Sequence, residues 1–444
     1  MSFRAVWVYI ALLFFIVGAG CTANTENNRA PTGYFDQLAQ NALNDGNYQQ
    51  ALYWLNTATT TDAAWTVARH ITAGDIYYAM GQWREAIAHW ESFVIDDSIR
   101  LRQMAEIYLE LEAWDDAFTL LEQLHSDTPN SPWLNYQLGM LLAPVNVSQA
   151  LDHLLLASTT NIRVTNALIP LLLESDDEAR LTMRIGLALA GVDEWTHAER
   201  AFQQAAQLAY PFPEALAYTA IVREQQKKDG SLWMLEALEL GDESAQVQYL
   251  YGIYLRGRED YPASVEALNR AVTLDASNPA YAAELGIAHQ RNFQLTRAEY
   301  WLRTALTLSA NAPEYQNMLS AFYIETGFLP DDGLTVLRAA VENMPNDPDV
   351  WANYGWALYL SGNIEVAIQQ LDTALSLEAQ NIRALYFRGR VAYAEGDNQQ
   401  ALDLLQQVVD IGVEFTSEAE ILLQEIAQDE DETPAENNQD PIDE

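Results

Sequence analysis

The sequence has little cysteine, lysine and histidine: one, two and six residues among 444. Its single thiol, Cys21, excludes a disulfide framework and a thiolate metal cluster. The 23 Lys and Arg face 63 Asp and Glu, which gives a formal net charge of −40. This balance argues against nucleic-acid binding, because phosphate contacts are made by basic side chains. Apolar residues make up 49% of the chain, enough for a large core, so most of it is not intrinsically disordered.

Signatures of catalysis are also missing from the sequence. It has no Gly-rich phosphate loop, no GxSxG, no HExxH and no CxxC motif. The histidines are dispersed, without an i, i+4 pair that could hold a metal ion. Acidic pairs such as Asp115-Asp116 are interpreted as caps at helix N-termini. We therefore predict a protein that is not an enzyme, with no cofactor and no metal site.

The N-terminus has the pattern of an export signal. Arg4 precedes a 13-residue apolar run from Ala5 to Val17, which is short for a membrane span of about 20 residues and is typical of a signal peptide. The following polar segment, up to residue 32, is predicted to be a flexible tether.

The small residues Ala19 and Gly20 directly before Cys21 resemble the signal of bacterial lipoproteins. That resemblance implies cleavage after residue 20, lipidation of Cys21, and an extracytoplasmic protein anchored to the cell membrane by its lipid. Thr22 stands where the retention signal for the inner membrane has Asp, which favours the outer membrane in an organism with two membranes. An uncleaved anchor helix, or another secretory signal with a free thiol, is the alternative interpretation.

The rest of the chain repeats a short pattern many times over. Each unit has a small residue, a Gly seven positions later in the clearest cases, and another small residue five positions after that, as in Gly355, Gly362 and Ala367. The last of these positions recurs at nearly constant intervals, with one longer interval between Ala150 and Ala198. The period is about 34 residues. The small residues at this position are Ala51, Ala86, Ala117, Ala150, Ala198, Ser231, Ser264, Ala298, Gly333, Ala367 and Ala401.

This pattern resembles the tetratricopeptide repeat (TPR), a helix–turn–helix unit of about 34 residues. The resemblance implies an all-α fold, a right-handed superhelical α-solenoid of about eleven units, in which each repeat buries its faces against its neighbours. The predicted segments are a signal peptide (1–20), a tether (21–32), about four repeats (33–157), a divergent helical insertion (158–180), about seven repeats (181–410), a capping helix (411–428) and a disordered acidic tail (429–444).

In this family the first helix of each unit lines the concave groove. Carrying the groove positions over places eight arginines there: Arg102, Arg180, Arg184, Arg223, Arg256, Arg291, Arg383 and Arg390. From these and the accompanying aromatic and amide residues we predict a peptide-binding site made of Arg256, Arg291, Asn353, Trp356, Arg383, Tyr386, Arg390 and Tyr393. Pairing of the arginines with the abundant carboxylates of the chain itself is the alternative.

The resemblance implies a non-enzymatic scaffold that binds peptide segments of envelope proteins, acidic or C-terminal ones among them. Assembly of an envelope or secretion complex would be its setting. A glycan-binding subunit associated with polysaccharide export is the second hypothesis, because 12 Trp and 22 Tyr could stack on sugars.

Overall fold

The computed structural model describes residues 33–62, 64–91, 93, 97–174, 176–328 and 333–432. Within these ranges all regular structure is helical, in 24 helices, so the expected all-α fold class is confirmed. The predicted signal peptide, its Cys21 and the tether up to residue 32 lie outside the described residues, as does the end of the predicted tail from residue 433.

The helices follow one another in short-looped antiparallel pairs. They are α1 (Tyr34–Asn44), α2 (Tyr48–Asp62), α3 (Val67–Ala79), α4 (Trp83–Trp90), α5 (Ser98–Glu110), α6 (Trp114–Asp127), α7 (Pro132–Leu142), α8 (Val147–Leu156), α9 (Ile162–Leu172), α10 (Glu178–Ala190), α11 (Trp195–Leu208), α12 (Pro213–Gln225), α13 (Ser231–Gly241), α14 (Ala245–Gly257), α15 (Tyr261–Leu274), α16 (Pro279–Arg291), α17 (Leu295–Leu308), α18 (Pro313–Thr326), α19 (Gly333–Asn343), α20 (Pro348–Leu360), α21 (Ile364–Leu377), α22 (Ile382–Ala394), α23 (Asn398–Ile411) and α24 (Thr416–Glu432).

The small residues of the repeat are where the two helices of a pair touch. A Cβ added to Gly355 of α20 would lie 2.8 Å from the side chain of Leu371 on α21. In the second pair, a Cβ at Gly74 would lie 2.2 Å from Nε1 of Trp90, which is fully buried. Glycine is required at both positions because any side chain would push the two helices apart.

The turn within a pair has a left-handed residue two positions before the second helix. It is Gly in four pairs, and a residue with a side chain adopts the same positive φ in four others. The positions are Gly46, Gly81, Glu112, Asp193, Glu259, Phe293, Gly362 and Gly396. The sequence pattern recognised this turn only where glycine occupies it, because glycine alone adopts this conformation without steric cost.

Eleven helix pairs are present in the described residues, in agreement with the predicted number of units. Two helices stand outside the pairing: α9, within the predicted insertion, and α24, which packs on the last pair through Ala419 and Ile426. Helix α24 continues to Glu432, four residues into the segment predicted as a tail.

The chain divides between Leu138 and Gly139 into two compact units. Unit 1 contains α1 to α6 and the start of α7, and unit 2 contains the remaining helices. The segment boundaries drawn from the repeat spacing stay predictions. None of the helices in the described ranges is both long and apolar enough to cross a membrane.

Candidate peptide-binding site

Five of the eight predicted site residues meet in unit 2, on the first helices of the last two pairs. Asn353 and Trp356 belong to α20, and Arg383, Tyr386 and Arg390 belong to α22. We call these five residues the C-terminal cluster. Asn381 directly precedes α22, and its side chain accepts a hydrogen bond from the backbone N–H of Ala384 at 2.9 Å and so caps the helix.

Trp356 is a core residue rather than an exposed one. Its side chain is 5% exposed, and its ring stacks on Phe387 of α22, with centroids 4.9 Å apart and an interplanar angle of 12°. Tyr359, one turn further along α20, stacks on it at 5.1 Å. The indole therefore packs α20 against α22 and forms part of the core beneath Arg390 of the cluster.

Arg383 is already engaged within the chain. Its Nη1 donates to Oδ1 of the buried Asn353 at 3.2 Å, and its Nη2 lies 2.9 Å from Oε1 of Glu414. Its Nε is buried and has no hydrogen-bond partner. Glu414 lies in the turn before α24, so this arginine is neutralised by the segment that leads into the last helix.

Tyr386 is covered by the same turn. Phe415 stacks on it with centroids 4.6 Å apart and an interplanar angle of 5°, which leaves the tyrosine 6% exposed. Burial raises the pKa of the Tyr386 hydroxyl, and the positive charge of Arg390 opposes that shift. The phenol therefore stays neutral, able to donate a hydrogen bond.

Arg390 differs from Arg383 because aromatic rings, not a carboxylate, surround it. Its guanidinium carbon lies 4.4 Å from the ring centre of Trp356 and 5.6 Å from that of Tyr386. Among the described residues, no carboxylate lies within ion-pair distance of it. The side chain is half-buried, and the two rings restrict the position of the guanidinium.

The remaining three predicted site residues lie apart from this group or at its edge. Tyr393 is half-buried one turn beyond Arg390 on α22. Arg256 of α14 pairs with Glu284 of α16 at 3.0 Å. Burial raises the pKa of the Glu284 carboxyl, and Arg256 opposes that shift. Arg291 is exposed and borders a surface cavity of about 420 Å³ near Phe293 and Glu325.

The other arginines expected in the groove also have carboxylate partners in their own chain. Arg102 pairs with Glu106, Arg180 with Asp176, Arg184 with Glu174, and Arg223 with Glu199. Six of the eight predicted groove arginines are thus neutralised internally, as the alternative interpretation of the sequence supposed. Arg291 and Arg390 are the two that have no such pair among the described residues.

Sequence reasoning missed the two residues that cover the cluster, Glu414 and Phe415. The spacing of the residues that precede successive first helices could have indicated them. Phe415 stands one full repeat period after Asn381, which itself stands one period after Asp347, the residue that precedes α20. The turn before α24 therefore occupies the place where a further repeat would begin.

The model of the tetratricopeptide repeat family matches residues 249–313, 325–382 and 361–412, the part of the chain that contains α14 to α23 and the C-terminal cluster. Over these residues the chain carries tetratricopeptide repeats. The helix pairs in these ranges are TPR units, a fold suited to protein–protein interaction.

Two curated proteins are similar over parts of the chain. Superkiller protein 3 of Saccharomyces cerevisiae is 23% identical over 317 residues, which cover 68% of this chain and 20% of the yeast protein. BBSome complex member BBS4 of Bos taurus is 24% identical over 155 residues, or 35% of this chain and 29% of the bovine protein. The chain thus spans less than a third of the length of either relative.

Among solved structures, a tetratricopeptide repeat protein from Parabacteroides merdae is similar, with 11% identity and a TM-score of 0.43. The match covers 56% of this chain and 98% of that one.

Proposed function

We propose that the chain is a non-enzymatic scaffold that binds peptide segments of partner proteins at the C-terminal cluster. We further propose that it acts at the cell envelope, anchored through a lipid on Cys21. The first part rests on the TPR fold and on the geometry of Arg390. The second rests on the sequence of the N-terminal segment.

The observation that carries the binding proposal is the contrast between Arg390 and its neighbours. Most described arginines pair with a carboxylate of this chain, whose net charge is −40, but Arg390 lies against aromatic rings instead. Burying part of a guanidinium costs free energy that an ion pair would otherwise offset. The rings of Trp356 and Tyr386 stabilise it in part, and an acidic side chain or a terminal carboxylate of a partner would supply the ion pair that it lacks in the described structure.

The glycan-binding alternative has less support at this place. A sugar ring needs an accessible aromatic face on which to stack. Trp356 is 5% exposed and Tyr386 6%, and each has its ring covered by another aromatic residue or by Arg390. Peptide binding through the Arg390 guanidinium is therefore the function that the geometry favours.

The test is a cross-linked capture of partners from native membranes, with the full chain compared with Arg390→Gln. We expect a defined set of proteins with the unaltered chain and at least a tenfold loss with the variant. Arg270→Gln is the matched control, because Arg270 is an exposed arginine on a second helix, paired with Asp242. Equal capture by all three proteins would exclude the C-terminal cluster as the binding site.

A binding measurement with purified components complements the capture. Peptides from the captured partners, with and without their acidic residues, are titrated against the protein at low and high salt. Because the contact is between charged groups, affinity is expected to fall as salt rises. Binding of a polysaccharide in place of any protein would instead support the glycan hypothesis.

The anchoring proposal is tested separately through Cys21. Metabolic labelling with a fatty-acid analogue and detergent partitioning are compared for the full chain and Cys21→Ser. We expect label and membrane partitioning with the unaltered chain and their loss with the variant. Label in both proteins, or in neither, would contradict lipidation at Cys21 while leaving the binding proposal intact.

A further inference from the structure

Two histidines that lie on different helices come together in unit 1. His70 lies on α3 and His89 on α4, and their Nδ1 atoms are 3.0 Å apart. The two helices form one pair, held in close contact by Gly74 and Trp90. No sequence pattern indicated this meeting, because the contact joins the two helices of a hairpin and not successive turns of one helix.

Aromatic rings surround both imidazoles. Trp65 lies 4.8 Å from the ring of His70 and 5.3 Å from that of His89, and Tyr77 stacks on His89 with an interplanar angle of 10°. Phe93 lies 4.5 Å from His70. These contacts keep the two imidazoles side by side, so a ligand that binds both does not have to bring them together.

The charged groups around the pair are engaged elsewhere. On α3, Arg69 pairs with Asp36 and Asp75 pairs with Arg100. Burial lowers the pKa of His89, and the neighbouring His70 acts in the same direction. The lowered pKa of His89 favours its neutral imidazole, the form that binds a metal ion.

The two nitrogens lie close enough to bind the same ion. Two metal–nitrogen bonds of about 2.05 Å to atoms 3.0 Å apart enclose an angle of about 94° at the metal. The ring centroids are 5.2 Å apart, so the Nδ1 atoms now point towards each other, and each ring turns when both bind one ion. Among divalent first-row ions, Cu²⁺ binds imidazole nitrogens most tightly.

We propose that His70 and His89 form a binding site for a divalent transition-metal ion, with Cu²⁺ favoured. The two Nδ1 atoms are adjacent ligands. The imidazole that donates its Nδ1 proton in the present contact moves that proton to its own Nε2 through solvent, so that both Nδ1 lone pairs bind the ion. No group of three or more His, Cys, Asp or Glu side chains comes together in the described ranges, so the proposed site has two protein ligands among those residues. Trp65 is 44% exposed and both histidines are partly exposed, so the ion has access from solvent.

The test is a titration of the untagged full chain with Cu²⁺ at pH 7.5, followed by electron paramagnetic resonance. We expect one equivalent of a tetragonal signal with hyperfine splitting from two imidazole nitrogens. His70→Asn and His89→Asn keep a hydrogen-bonding group near the position of Nδ1 but remove the ligand, and each is expected to weaken binding at least tenfold. His153→Asn on α8 is the matched control and should bind as the unaltered chain does.

Two results would overturn the proposal. One is a copper signal that is the same in the unaltered chain and in both folded variants, as assessed by circular dichroism. The other is the absence of a stoichiometric signal, which would leave the pair as a hydrogen-bonded structural contact. If a variant fails to fold, carbethoxylation of each histidine in the unaltered chain is measured by mass spectrometry with and without Cu²⁺. Cu²⁺ should then protect His70 and His89 specifically.

Discussion

The beginning of unit 1 and the end of unit 2 join successive repeats by different chemistry. In unit 1, Arg69 of α3 donates to both oxygens of Asp36 on α1 at 2.7 and 2.8 Å. Arg100 of α5 makes the same bidentate contact with Asp75 of α3, at 2.8 and 2.6 Å. Each pair links the first helix of one repeat to the first helix of the repeat before it.

At the end of unit 2, aromatic stacks join the first helices in addition to the polar contacts of Arg383 with α20 and with the turn before α24. The ring of Phe387 on α22 stacks on Trp356 of α20, and the ring of Phe415, before α24, stacks on Tyr386 of α22. The repeat period is common to both regions, but the contacts between repeats are not. The repeat thus determines where first helices contact each other, but the contact can be an ion pair or an aromatic stack. Three variants, ordered by expected effect, test this contrast.

The largest effect is expected from Phe387→Ala. Phe387 is 3% exposed, and its loss leaves a cavity beside Trp356 and removes the stack that joins α20 to α22. We expect a loss of about 3–5 kcal/mol in the free energy of unfolding of unit 2. Urea denaturation followed by circular dichroism measures it, with the exposed Tyr300→Ala as control. A loss no greater than that of the control would show that stacking does not hold these repeats together.

A smaller loss in the free energy of unfolding, about 2 kcal/mol, is expected from Arg69→Met in unit 1. Arg69 is 5% exposed, so the variant leaves Asp36 with a partly buried charge and no partner. Arg163→Met removes a pair with Asp193 in which both side chains are 62% exposed, and should cost under about 1 kcal/mol.

A double-mutant cycle of Arg69→Met with Asp36→Leu, analysed by urea denaturation, isolates the coupling between the two side chains. Coupling indistinguishable from zero would contradict the assignment of this ion pair as the link between α1 and α3.

The smallest effect is expected from His197→Gln in unit 2, and it is a change in the pH dependence of the free energy of unfolding. Burial lowers the pKa of His197 on α11 to about 4, and the Arg200 guanidinium adds to the shift. The unfolded chain binds a proton near pH 6.5 and the folded one does not, so stability is complete above pH 6.5 and falls as pH decreases towards 4.

His197→Gln lacks this proton and should lose about 1 kcal/mol less than the unaltered chain between pH 7 and pH 5.5. Urea denaturation of both proteins at the two pH values measures the difference. Parallel pH dependence in the two proteins would show that His197 titrates normally in the folded state.

The sequence predicted the parts of this fold that depend on the absence of a side chain. Gly355 and Gly389 are needed because a leucine of the facing helix fills the space of a Cβ, so the repeat register could be read from small residues alone. Eleven helix pairs follow from that register.

The contacts of long side chains could not be predicted in the same way. Which carboxylate neutralises Arg383 depends on the rotamers of both residues and on the path of the turn before α24, and neither leaves a periodic trace. The contact between His70 and His89 could not be predicted for the same reason: it depends on the rotamers of both side chains and leaves no periodic pattern in the sequence. The predicted site residues were therefore placed on the right helices of the cluster, but their availability to a ligand was known only from the structure.

The position of Phe415 also bears on how such an array can grow. Asp347, Asn381 and Phe415 mark three successive starts, each one repeat period after the last, and Phe415 closes the series. A tandem duplication of the DNA that encodes one unit, inserted between Asn381 and Phe415, would present Phe415 with a new copy of the surface it now covers. The gene could thus lengthen by whole units without a change in its terminal segment.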